Sequence, residues 1–397
     1  MQQTHWPIRL VILLCVGGAA LAGAGCAPGD GTPNGNGNAN GNANQQDDEC
    51  LAEGSFQLAP SRQAVAFVDP ACFSDLLKRS EIEPTLLLQA SVEQFITRFA
   101  GQFPNDADFV LFTLDAHREQ LRFNAVGGFN IAINVPEAGL GPFVSVSSFP
   151  TLPNLRSYIY LARKDSLVLG PSLHELAHGW GVRFITPDAL AQQASQSDNH
   201  WGFTSAGGQL GGWMPGTLMD LGDGEFELSS GQIETGGRSF NTVPFSAIEL
   251  YLMGLAEQDE VKPLQVAVNP VPRSLFEFVA DDIVEVTIED IIAANGARVP
   301  STQDAQKAFK IALIVLTDHL LSDREWDFYQ DSIDYFSFDG GADINEAFPE
   351  SRYAGQPIRE LIAQPDLEDP SREFMNFFEA TRGRATIEFI PLQATGP

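Results

Sequence analysis

His174-Glu175-Leu176-Ala177-His178 is the stretch of this chain that predicts most about its fold and chemistry. On a helix, residues four apart lie on one face with Cβ atoms about 5–6 Å apart, so both imidazoles can reach one metal ion. The carboxylate between them can then accept a proton from a water molecule at that ion. This HExxH spacing predicts an active-site helix in which His174 and His178 bind zinc and Glu175 is the general base.

A catalytic zinc normally has three protein ligands and one open position, so a third ligand is expected elsewhere in the chain. Two familiar spacings fail. The HExxHxxGxxH pattern of metzincins has Phe184 in place of its third histidine. The HELAHGW segment also resembles the HELAHQW of gluzincin aminopeptidases, but Ser197 occupies the position where those enzymes have a glutamate ligand. We therefore expect His200, in the polar segment SDNHW, to be the third ligand.

Glu249 and Asp198 remain open as alternative ligands. Glu249 lies in the apolar segment AIELYLMGL, where a buried carboxylate needs a partner. Zinc would be such a partner, and a hydrogen bond that fixes the tautomer of a ligand histidine would serve equally well. Tyr251 in the same segment is a candidate hydrogen-bond donor to the transition state, although packing in the core explains it more simply.

Residues 1–25 are predicted to be a lipoprotein-type signal peptide. Arg9 precedes an apolar run from Leu10 to Leu21, which has the length of a signal h-region and is too short to span a bilayer. The sequence GAGC ending at Cys26 resembles the lipobox of bacterial lipoproteins, although Gly23 stands where that motif usually has leucine. We expect a protein of the cell envelope that is lipid-anchored at Cys26, or an extracellular one after export.

The rest of the chain divides into a tether and one domain. Residues 26–49 form a Gly/Asn-rich tract without apolar periodicity, which predicts a disordered tether. Residues 50–397 show no break in composition and predict one catalytic domain. Cys50 and Cys72 are its two cysteines, and an even pair in an oxidising compartment predicts a disulfide.

The charge of the chain limits its partners. The sequence has 52 acidic and 23 basic residues, a formal net charge of -29. Nucleic acids and anionic membrane surfaces attract lysine and arginine, so neither is an expected partner. A protein or peptide substrate is the expected partner, and membrane contact is expected only through the lipid at Cys26. Two oxygen-rich stretches, around Asp220 and Asp339, leave calcium binding open, although turn formation explains both.

Apolar spacing predicts an α+β fold. The helices are expected at Thr85–Phe99, the HExxH segment, Phe245–Leu255, Thr302–Leu321 and Ser371–Ala380. The strands are expected at Phe109–Leu114, Phe129–Val135, Phe143–Ser147, Tyr158–Ala162 and Ala385–Ile390, with a hairpin turn at Asp223-Gly224. This arrangement predicts a mixed sheet with a backing helix and the HExxH helix, followed by a helical C-terminal part.

Five segments together resemble a group of uncharacterised exported bacterial lipoproteins with a zincin-like HExxH core of the metallopeptidase type. They are GGFNI at 127–131, HELAHGW at 174–180, HW at 200–201, FSAIELYLMGL at 245–255 and TRGR at 381–384. The resemblance covers most of the chain from about residue 105 onward. It implies a zincin-like fold and supports His200 as a ligand, but it implies no particular substrate.

These patterns predict an exported zinc metallopeptidase that hydrolyses peptide bonds with Zn²⁺ as its cofactor. Two other hypotheses remain open: a non-catalytic cell-surface binding protein on a zincin scaffold, and a zinc-dependent hydrolase of a non-peptide amide. The intact Glu175 argues against the binding protein, because a site without turnover has no chemical need for its base.

Overall fold

A computed structural model describes residues 51, 53–79, 89–117, 127–140, 149, 151–180, 199–237, 240–340 and 374–395. The signal peptide, the tether, Asp198 and the expected strand Phe143–Ser147 lie outside these residues. Cys72 is disulfide-bonded. The other cysteines of the chain all lie outside the described residues, so the pairing with Cys50 stays a prediction. Within the described residues, none of the helices has both the length and the apolar composition of a membrane-spanning segment.

The described residues form thirteen strands and eight α-helices, numbered here in chain order. The strands are β1 (Ser55–Leu58), β2 (Ala64–Val68), β3 (Phe109–Leu114), β4 (Gly128–Ala132), β5 (Ser157–Leu161), β6 (Leu218–Gly222), β7 (Glu225–Leu228), β8 (Leu264–Val268), β9 (Val271–Pro272), β10 (Glu277–Val279), β11 (Asp282–Val286), β12 (Ala308–Thr317) and β13 (Thr386–Phe389). The helices are α1 (Pro70–Arg79), α2 (Gln89–Gln102), α3 (Ser166–Leu169), α4 (Ser172–Ala177), α5 (Ala247–Met253), α6 (Ile288–Asn295), α7 (Asp323–Ser337) and α8 (Phe377–Ala380).

The largest sheet has the order β1-β2-β12-β3-β5-β4, with β13 also paired to β12. Its central strands β2, β12, β3 and β5 are parallel, while β1 and β4 run antiparallel to their neighbours. One side of β12 pairs with β3. The other side pairs with β13 over Ala308–Ile311 and with β2 over Leu313–Thr317. The chain is therefore an α+β protein with a mixed sheet.

This sheet has an apolar core on each face. Ile311, Leu313 and Val315 of β12 belong to the core that includes residues of α4, α5 and α7. The alternate residues Ala312, Ile314 and Leu316 belong to the core that includes residues of α1 and α2. Because successive side chains of a strand point to opposite faces, one strand serves both cores. The HExxH helix α4 thus lies on one face, and the expected backing helix, observed as α2, lies on the other.

The expected helix over Thr302–Leu321 is wrong, because its centre forms the strand β12. A strand that is buried on both faces is apolar at nearly every position, so its residues also satisfy a helical spacing. The expected helical C-terminal part needs the same correction, since it contributes the central strand β12 and its neighbour β13 alongside the helix α7. His319, inside the segment expected to be helical, follows the strand β12.

The other expected elements are confirmed where the structure describes them. β3 has the expected bounds, β5 and β13 lie within one residue of theirs, and β4 begins one residue earlier and ends three residues earlier than expected. The helix α5 lies inside the expected segment, and α8 covers the end of the segment expected before Thr381. Asp223-Gly224 forms the turn between β6 and β7, as expected. In that hairpin the Asp220 side chain accepts a hydrogen bond from the backbone of Gly222, as turn chemistry predicts.

Two smaller sheets, β6-β7-β10-β9 and β8-β11, complete the described part. Residues 200–213, called the histidine loop below, connect them to the main body. The backbone of Ser205 donates to Gln265 O on β8, and Trp213 belongs to the core beneath the four-stranded sheet. The loop folds back on itself, since Trp201 N donates to Leu210 O and Trp213 N donates to Thr204 O.

Candidate metal centre

The HExxH helix is short and is held by side chains from elsewhere. An isolated helix of six residues is not stable in water, so α4 depends on tertiary contacts. Asn241 accepts a hydrogen bond from Leu173 N at 3.2 Å and donates to the Ser172 hydroxyl at 2.8 Å. At the other end, Asn130 of β4 donates to Glu175 O at 2.7 Å. Two buried asparagines thus fix both turns of the motif.

Three histidine rings converge beside this helix. The Nε2 atom of His174 lies 3.1 Å from Nε2 of His178 and 3.2 Å from Nε2 of His200. The three ring centroids are 4.8 to 5.0 Å apart. All three side chains are almost buried, with exposed fractions of 6 to 9%. The structure therefore brings together the three residues that the sequence predicts as ligands.

The spacing of these nitrogen atoms matches a zinc ion. Tetrahedral zinc binds imidazole nitrogen at about 2.0–2.1 Å, which places two such ligands about 3.3 Å apart. The observed separations of 3.1 and 3.2 Å agree with this value. Three histidines are also a known ligand set of catalytic zinc, which leaves the fourth position open. The donor set therefore suits the ion that the motif predicts.

The ring of His174 is fixed in the tautomer that a metal requires. Its Nδ1 atom lies 2.9 Å from the carbonyl oxygen of Gln209, which can only accept a hydrogen bond. Nδ1 therefore carries the proton, and Nε2 presents its lone pair to the other two rings. Burial, followed by the nearby His200 ring, lowers the pKa of His174 to about 3. The neutral ring is the form that binds a metal ion.

Glu249, the alternative ligand, is not part of the histidine group. Its carboxylate accepts four N–H donors: Trp201 Nε1 at 3.1 Å, Gln209 N at 3.1 Å, Leu210 N at 2.7 Å and Ser246 N at 2.8 Å. Burial raises the pKa of this carboxyl above its ordinary value, and the four hydrogen bonds oppose this shift only in part. The sequence thus correctly identified a buried carboxylate that needs partners, and the partners that the structure shows are four N–H groups.

Glycines allow the backbone to approach the site closely. A Cβ atom on Gly237 would lie 2.2 Å from Cε1 of His174 and 2.9 Å from Cδ2 of His200. A Cβ on Gly128 of β4 would lie 2.9 Å from Oε1 of Glu175. The general-base candidate therefore lies against the edge strand, and two histidines lie against Gly237. Neither glycine could be replaced without moving a site residue.

Tyr251 and the other nearby aromatic side chains are part of the core. The Tyr251 hydroxyl accepts a hydrogen bond from Arg298 N, and its ring belongs to the main core. Trp180 and Trp201 are buried in that core as well. His117 is exposed. None of these side chains joins the three histidines in the described part of the chain.

The sequence did not identify Gln209 and Gly237 as parts of the site. Gln209 contributes a backbone carbonyl, which any residue type could supply. The available signal was the glycine spacing around Gln209, at positions 207, 208, 211 and 212, since such glycines indicate close approach of backbone to other groups.

Comparison with protein-family models, curated proteins and solved structures finds no match to this chain. Its function is therefore inferred from the geometry of the site.

Proposed function

We propose that this chain is an exported zinc metallopeptidase with a zincin-like fold. The convergence of the three Nε2 atoms of His174, His178 and His200 is the observation that carries the proposal. Proximity of histidine side chains alone would be weak support. Here the rings face one another, the spacing suits tetrahedral zinc, and one ring is held in the ligand tautomer by a backbone carbonyl.

A zinc ion at this place would act as a Lewis acid and lower the pKa of a water molecule toward 7. Glu175 accepts a proton from the attacking water on its carboxylate and then delivers it to the leaving amine. Asn130 holds the backbone of Glu175, and Gly128 leaves the space in which its side chain lies. The burial of the three histidines limits access of bulk water and so strengthens electrostatic interactions at the site.

A peptide substrate is favoured by the position of β4. Among the described strands, β4 is an edge strand of the main sheet, and it runs antiparallel to β5, its neighbour. An edge strand can pair with an extended peptide through main-chain hydrogen bonds. Gly128 of this strand lies against Glu175. A peptide that is paired along β4 would therefore pass beside the general base.

The test compares the purified wild-type protein with Glu175→Gln for bound zinc and for cleavage of a peptide library. We expect one equivalent of zinc in both proteins. Cleavage should fall by about 10²- to 10⁴-fold in the variant, because a positioned general base typically contributes that factor. Equal cleavage by both proteins would contradict the assigned role of Glu175. Bound zinc without any peptide cleavage by the wild type would favour the binding protein, and turnover of small amides alone would favour the non-peptide hydrolase.

A further inference from the structure

Glu249 makes more contacts than its place in the helix requires. As the third residue of α5 it forms a capping box with Ser246, an arrangement that the structure repeats at the starts of α6, α7 and α8. Of the glutamate side chain itself, a capping box needs only one hydrogen bond, the one accepted from the N-cap backbone N–H. Glu249 also accepts hydrogen bonds from Trp201, Gln209 and Leu210, all in the histidine loop. These additional bonds have no part in starting the helix.

One peptide group connects Glu249 directly to a ligand candidate. Leu210 N and Gln209 O belong to the same planar peptide unit. Its N–H donates to Oε1 of Glu249 at 2.7 Å, and its carbonyl accepts from Nδ1 of His174 at 2.9 Å. Hydrogen bonds in such a chain polarise one another, so a bond to the carboxylate strengthens the bond from the ring. Ligand histidines usually need a partner of this kind on the second ring nitrogen.

The same carboxylate also holds the segment that carries His200. Trp201, the next residue in the chain, donates from Nε1 to Oε1 of Glu249. Its backbone N donates to Leu210 O. Gly208 lies so close to this carboxylate that a Cβ there would be 1.9 Å from Oε2. The tip of the histidine loop is therefore closed around one buried side chain, which is 2% exposed.

The hydrogen bonds of Glu249 require its ionised form. Each of its two oxygens accepts two N–H groups, which uses about four acceptor positions of a carboxylate. A protonated carboxyl would lose one of these positions and would need an acceptor for its own proton. None of the four donor groups can accept that proton.

We propose that Glu249 is a positioning residue of the metal centre, which fixes the ring of His174 and the place of His200 through the histidine loop. This inference rests on the proposed zinc site and does not depend on which bond the protein cleaves. Glu249 does not touch the metal position. Its effect passes through the Gln209–Leu210 peptide group and through Trp201.

The experiment measures the zinc dissociation constant by competition with a chromogenic chelator. Glu249→Gln keeps the size of the side chain but replaces one accepting oxygen with an NH₂ group. We expect zinc binding to weaken by about 10- to 100-fold, the usual effect of removing a partner of a ligand histidine. Glu379→Gln is the matched control, because Glu379 forms the capping box of α8 with Asn376. It should bind zinc as the wild type does.

A second readout needs no metal. In the metal-free protein labelled with ¹⁵N-histidine, His174 should be an Nδ1–H tautomer in the wild type and a mixture of tautomers in Glu249→Gln. If that variant does not fold, Trp201→Phe, which removes one of the four donors, should still weaken zinc binding by a smaller factor. Unchanged zinc affinity in Glu249→Gln, or an equal loss in Glu379→Gln, would overturn the inference. A wild type that binds zinc but cleaves no peptide would contradict the proposed function alone.

Discussion

Two groups in the described part of the chain bring ligand-type side chains within 4.8 Å of one another, and they differ in what their histidines face. The groups are His174, His178 and His200, and Asp115, His319 and Glu325. In the first group the ring nitrogens face one another. In the second, both ring nitrogens of His319 face carboxylates, Asp318 at 2.6 Å and Glu325 at 2.9 Å.

The charges of the two groups differ accordingly. Burial lowers the pKa of His174, whereas the hydrogen bonds that His319 donates to Asp318 and Glu325 raise the pKa of His319. The second group also contains a cation already, because Lys164 Nζ lies 3.8 Å from Asp115. A protonated histidine between carboxylates forms ion pairs and needs no metal. We therefore infer that converging neutral nitrogens are a better sign of a metal centre than the mere proximity of ligand-type residues.

The largest expected effect comes from removing one ligand of the first group. His200→Ala should weaken zinc binding by at least about 100-fold, because zinc sites with four ligands bind with about 10–16 kcal/mol, or roughly 3 kcal/mol per ligand. His319→Ala, from the second group, should leave the zinc affinity unchanged. Chelator competition measures both. The comparison fails if the two variants lose zinc equally.

A smaller effect is expected from the backbone beside the rings. Gly237→Ala should lower both stability and zinc affinity, since its Cβ would press on His174 and its φ of +75° strains any side chain. Gly231→Ala is the matched control, with a φ of +76° and nothing within 4 Å. The control should show only the strain, about 1–2 kcal/mol. Denaturant unfolding and zinc titration check this, and equal zinc affinity in the two variants would be evidence against close packing at the site.

The smallest effect is a pH dependence of the second group. The folded pKa of His319 lies above its ordinary value, so its stabilising effect is complete below about pH 6.5 and is lost as pH rises through the folded pKa. We expect His319→Gln to destabilise the protein by at most about 1 kcal/mol at low pH, as is usual for exposed pairs, and by less at higher pH. Unfolding across pH measures the difference. A difference that grows with pH would contradict the ion pairs.

The sequence predicted which histidines lie together better than it predicted the fold around them. The HExxH spacing follows from helix geometry alone, and His200 was one of few histidines available, so both could be inferred without a structure. The strand β12 could not, because burial on both faces removes the alternation that distinguishes a strand from a helix. A central strand is therefore the element that is hardest to distinguish from a helix by its sequence.

The contacts that hold the three histidines were also beyond the sequence. Gln209 contributes a main-chain carbonyl and Gly237 contributes the absence of a side chain, so neither residue type indicates a role beside the histidines. Glu249 was predicted to be buried and in need of a partner, and it is. Its actual partners depend on how the histidine loop folds back, which spacing along the chain does not specify.

X-ray absorption at the zinc edge of the purified protein tests the central claim most directly. We predict one zinc ion with three imidazole nitrogen ligands at about 2.0–2.1 Å in the wild type, and two such ligands in His200→Ala. A wild type without zinc, or a zinc environment that is unchanged in His200→Ala, would contradict the proposed metal centre.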